Sequence, residues 1–300
     1  MSAARAAVAV ARGVTLVEPQ LEDGIVNKVK QVNTRLITDE LDVARFWQSY
    51  QSAIAGDAVI AEAVTSGLRS AGCVELQIDS MAAALSRLLR EVHQVHHGMY
   101  PKLDGQLELR MRPLKDRWDT VGAGLMLSAA KQAWTIDAPE AWYPRRLTTH
   151  IVKPLVGGGG GVLDEAIWIE AMLTDVDPSV PEVVRLAYLV VLDAMERYLV
   201  ATGRSISEEI RDAWRLAAVP MTLEASADLE VTPPTIDCIG TAMDLWLGGL
   251  VVEPSWLLDW WAGRDQAKPL PVVIGALHKY LHEQNVFTPR SSEDQGKEKE

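Results

Sequence analysis

Residues 80–100 read SMAAALSRLLREVHQVHHGMY. Met81, Leu85, Leu88, Val92, Val95 and Met99 recur at helical spacing, which places them on one face of an α-helix. Tyr100-Pro101 closes the run, because the residue before a proline is pushed out of α geometry. The most regular stretch of the chain is therefore a long amphipathic helix, and the expected fold class is mainly α.

The flanking sequence extends this pattern. Thr38 is a good N-cap with Asp39 and Glu40 behind it, and Val43, Trp47, Tyr50 and Ile54 follow at helical spacing up to a stop at Gly56. A second helix is expected over about 57–68. After Gly72, Val74, Leu76 and Ile78 alternate with Glu75 and Gln77, which fits either a short strand or the first turn of the next helix. Downstream, Leu107, Leu109 and Met111 alternate with Glu108, Arg110 and Arg112 and predict a strand. Pro113 then opens a helix carrying Leu114, Trp118, Val121 and Leu125, with Gly122 and Gly124 inside it.

Residues 147–156 predict a second strand, with Pro154 favouring an edge position. Gly157 to Gly161 lead into an expected helix over about 163–173. Ser179 and Pro181 introduce a long helix ending at Gly203, Ser207 caps another, and helices follow near 235–247, 254–261 and 270–284. This makes a multi-helix bundle of eight to ten helices with a minor β-hairpin or small sheet, α+β being the alternative. Residues 1–37 are expected to be a partly disordered extension. One globular domain over 38–288 is slightly favoured, with a possible sub-boundary near 137–144, and the polar residues 289–300 are expected to be a disordered tail.

Composition narrows the partners. Of 300 residues, 29 are Lys or Arg and 41 Asp or Glu, for a net charge of −12. Phosphate backbones and anionic lipid repel such a chain, so neither nucleic acid nor membrane is an expected partner. A hydrophobic fraction of 48% excludes a disordered or collagenous chain. Cys73 and Cys238 stand alone, without disulfide or zinc-knuckle spacing. The apolar run at 1–11 is too short for a signal peptide, and 241–262 is interrupted by Asp244, Glu253, Pro254 and Asp259. A cytoplasmic location is expected.

Four features could carry chemistry. His93 and His97, and again His278 and His282, are spaced i and i+4, as two imidazoles on one metal ion would be. Zn, Mn or Fe would suit four converging rings, with Glu91 and Glu283 as weaker candidates for a base or third ligand. Both pairs nevertheless fall off the apolar stripes while His96 faces the core, no HExxH is present, and surface histidines are the plainer reading. The glycine run resembles a phosphate cradle but lacks a third fingerprint glycine and a Gly-Lys-Ser/Thr, so a loop beside a cleft is favoured. Arg110, Arg112 and Arg117 beside Trp118 form the one dense basic patch, suited to an anionic ligand or to ion pairs with local carboxylates. Ten Trp against two Phe fit a Trp-rich core, although Trp256, Trp260 and Trp261 with Asp259 and Arg264 could present a sugar- or cation-binding face.

The expected function is a non-catalytic interaction or scaffold module that binds a protein partner or itself, without a cofactor. The alternatives are a metal-dependent hydrolase built on the two histidine pairs and a binder of an anionic small molecule near Arg110–Arg117 and the glycine run.

Overall fold

A computed structural model describes residues 1–134, 138–142, 146–164, 166–203, 207–247 and 252–283. The expected tail at 289–300 and much of the expected sub-boundary at 137–144 lie outside them. The chain divides into two compact units where a single domain was slightly favoured: Met1–Trp118 with Arg145–Val176, and Asp119–Pro144 with Asp177–Glu300. Among the described residues there are eleven α-helices and one three-stranded sheet, one helix more than the upper expectation. No helix among them is long and apolar enough to cross a membrane.

The first unit starts with α1 (Ser2–Ala11) and α2 (Pro19–Thr38), so residues 1–37 are built into the core rather than forming an extension. Ala4, Ala6, Ala7 and Ala9 are fully buried, and their short side chains give too faint a hydrophobic contrast to be read as a stripe. In α2 the stripe is plain: Leu21, Ile25, Val29, Val32 and Leu36 are all buried. Thr38 ends this helix instead of capping the next one. The cap of α3 (Val43–Ala55) is Asp42, whose carboxylate accepts from the Arg45 amide at 2.9 Å. Next come α4 (Ile60–Ser70) and α5 (Glu75–Met99).

The ambiguous alternation at 74–78 is the start of α5: Leu76 is 96% exposed while Ile78 is buried, and Ile78, Met81, Leu85, Leu89, Val92 and His96 form one stripe. Helix α5 packs on α2 and α4, and α3 packs on α4. Between them lies a core that includes Phe46, Trp47 and Tyr50.

The expected strand at 107–112 is instead part of α6 (Leu103–Ala133), with Pro113 inside the helix. Leu107 is buried but Leu109 is 60% exposed, so alternation does not describe these residues. Leu107, Met111, Leu114, Trp118, Val121 and Leu125 do keep a helical step, and all six are buried or half-buried.

The sheet consists of β1 (Thr148–Val152), β2 (Gly160–Val162) and β3 (Ala166–Glu170) in the order β1-β3-β2, with β3 parallel to β1 and antiparallel to β2. The expected helix at 163–173 is thus a central strand. All five residues of β3 are buried, and a short apolar run of that kind looks the same in a buried strand as in a buried helix. Trp168 accordingly sits on a strand rather than a helix.

The second unit is helical. Helix α7 (Glu182–Ala201) is buried on nearly every side and packs on α8 (Glu208–Ala227). Its buried charges are paired within the helix, Glu182 with Arg185 and Asp193 with Arg197. Helices α9 (Ile236–Trp246), α10 (Pro254–Gly263) and α11 (Leu270–Glu283) pack on α8, and Ser207 caps α8 as expected.

Three helix ends share an unusual residue choice. Glu40, Asp57 and Glu230 follow α2, α3 and α8 with φ of 56°, 63° and 55°, the left-handed position that glycine normally fills. Replacing Glu40 with glycine is expected to raise stability by about 0.5–1 kcal/mol, read as a higher urea midpoint at unchanged slope. A lowered midpoint would refute this.

Candidate functional site

The glycine run already holds an anion, and that anion belongs to the chain. Glu170, the last residue of β3, is fully buried. Its Oε1 accepts from the amides of Leu155 and Val156 at 2.8 and 3.0 Å, and its Oε2 from those of Gly157, Gly158 and Gly159 at 3.0, 2.8 and 3.0 Å. Such a ring of N–H groups is the backbone arrangement that binds phosphate elsewhere. Gly157 and Gly158 have φ of 86° and 127°, and a Cβ on Gly159 would stand 3.2 Å from Glu170 Oε1. Arg5 stacks 4.0 Å over the Trp168 ring, and burial lowers its pKa to about 10 while the charge of Glu170 acts the other way. The likeness to a phosphate cradle is therefore physical, and Glu170 takes the ligand's place.

The histidines of α5 separate into three environments. His97 is exposed. His93 Nε2 is 3.0 Å from the hydroxyl of Tyr50, and burial lowers its pKa to about 4, so the ring is neutral at physiological pH. His96 is 5% exposed and meets the Tyr100 ring edge-on at 5.1 Å; burial first, then the charges of His93 and Lys153, lower its pKa to about 4. Beside it, the Tyr100 hydroxyl and the Lys153 ammonium both donate to Glu18. Burial, reinforced by Glu18, raises the pKa of Tyr100.

His93 opens onto a groove of about 530 Å³ between the α3–α4 turn and α5. Ile54, Ala58, Val59, Ile60 and Ala61 form its apolar lining, with Asp57, Arg90 and His93 as polar groups. Ala61 also borders a second depression of about 350 Å³ running along α4 past Glu62, Thr65, Ser66 and Arg69. Strand β1 brings His150 to the same turn, where it hydrogen-bonds to the Ala55 backbone; burial lowers its pKa, opposed by that bond and by Asp57. An apolar concavity with a few converging polar groups is the usual form of a ligand site. Of its polar residues only His93 was singled out in the sequence. Arg90 and Asp57 are exposed charges, which carry no periodic signal.

The remaining candidates lie outside that lining. Glu91 is half-buried on α5. In the second unit, His278 Nε2 is 3.1 Å and His282 Nδ1 3.9 Å from Glu209 Oε2, and the carboxylate oxygen is a hydrogen-bond acceptor for His278. Glu283 is 3.8 Å from Lys279. The two histidine pairs belong to different units, and among the described residues no group of three or more His, Cys, Asp or Glu side chains is arranged to hold a metal ion.

Because 110–117 is helical, Arg110 and Arg112 point roughly 200° apart instead of sharing a strand face. Arg112 lies 3.5 Å from Glu108 and Arg117 lies 3.3 Å from Asp175, while Arg110 and Trp118 are half-buried. Trp256 stacks on Tyr280, and Trp261 is buried under Arg264 at 3.5 Å. No protein-family model, curated protein or solved structure matches the chain.

Proposed function

We propose that the protein is a helical interaction module that holds a short apolar chain segment of a protein partner in the groove between the α3–α4 turn and α5. One observation carries the reading: five apolar residues line a concavity of about 530 Å³ around three polar groups. Two or three apolar side chains seated there contribute about 1.5–3 kcal/mol each before the cost of association, so binding is expected to be weak and to need polar contacts as well. No catalytic step is assigned to the groove. The free thiols of Cys73 and Cys238 accord with work in the reducing cytoplasm.

The test is an array of random hexapeptides probed with the intact protein and with Ala61→Arg, a change that fills the shared edge of both depressions. Apolar binders are expected, and Ala61→Arg is expected to weaken them at least tenfold. Leu76→Asp, about 20 Å away along α5, is expected to leave binding unchanged. Binders that ignore Ala61→Arg would sink the proposal.

A further inference from the structure

Resting on that reading, we infer that the groove takes the C-terminal end of its partner, with Arg90 capturing the terminal carboxylate and Asp57 favouring a basic residue a few positions upstream. Two charges of opposite sign face the groove beside its five apolar residues and His93, the cation on α5 and the anion on the α3–α4 turn. Among the described residues neither has an ion pair. The charge of Asp57 reaches the amino group of Met1 and the ring of His150 without a bridge to either. Arg69, at the far end of the second depression, is by contrast taken up by Glu75 at 2.9 Å.

A guanidinium without an ion pair among the described residues, beside apolar surface, matches a carboxylate through two parallel hydrogen bonds. An apolar segment that ends in a carboxylate supplies both halves of that complement, and capture of a chain terminus is a recurrent mode of peptide recognition. His93 cannot compete with Arg90 for this role: its ring is neutral and already engaged with Tyr50. Asp57 would repel an acidic residue in the same peptide and attract a lysine or arginine.

The experiment measures binding of fluorescent N-acetylated peptides ending Lys-Ala-Leu-Val, with either a free or an amidated C-terminus. Amidation is expected to weaken binding at least tenfold, and Arg90→Gln to weaken the free acid to the level of the amide. Arg87→Gln, one turn earlier on the exposed face of α5, is expected to change nothing. Replacing the peptide lysine with glutamate is expected to weaken binding severalfold in the native protein and to have little effect in Asp57→Asn. If acid and amide bind equally while Ala61→Arg still abolishes binding, the terminal-carboxylate inference fails and the groove reading stands. If neither these peptides nor any on the array responds to Ala61→Arg, the groove reading fails as well.

Discussion

Replacing Glu170 with glutamine is expected to destabilise the first unit by about 4 kcal/mol, the largest effect of any single change considered. The two side chains are nearly the same size, so the change is one of hydrogen-bonding capacity. Five backbone N–H groups converge on the two carboxylate oxygens. A carboxamide offers one oxygen and turns an NH₂ group toward the rest. Whichever way it rotates, two or three buried donors lose their acceptor, at about 1–3 kcal/mol each. Urea unfolding measures the loss directly, and a change below about 1 kcal/mol would show that the loop does not depend on the charge.

Acidification gives the second large effect. The pKa values of His93 and His96 are lowered from 6.5 to about 4. The unfolded chain therefore binds protons first as pH falls. Their contribution to stability is complete above about 6.5, declines between 6.5 and 4, and levels off below that. At about 1.4 kcal/mol per pH unit, each ring is worth about 3 kcal/mol across this window. His150 acts in the same direction. Carboxylates such as Glu18, held below 4.5, lose their contribution only at lower pH and so add nothing to the decline between 6.5 and 4.5. His96→Leu is expected to remove about half of the decline in a urea series at pH 7, 5.5 and 4.5. A flat profile would mean that the rings are not buried in their neutral form.

The helical class was legible because long stripes such as that of α5 repeat over many turns, enough to exclude a strand. Short runs had no such redundancy. Six residues from Leu107 to Arg112 satisfy alternation and helical spacing alike, and only the continuation through Leu114, Trp118 and Leu125 decides between them. The Ala166–Glu170 run had the opposite ambiguity, since a strand buried on both faces shows no period at all. At the glycine run the sequence announced a cluster of free amides but not their occupant, because Glu170 reaches them by folding rather than by spacing. His93 was visible as a histidine beside an apolar stripe. Arg90 and Asp57 were indistinguishable from other solvated charges until the turn and the helix formed two walls of one groove.

The bonding of Glu170 also bears on how the loop exchanges hydrogen with solvent. Glycine-rich loops ordinarily give up their amide protons to water almost as fast as an unfolded chain. Here the amide protons of residues 155–159 all point at one carboxylate, and that carboxylate ends the central strand. The five sites should therefore exchange together, through a single opening shared with β3, at a rate characteristic of the sheet.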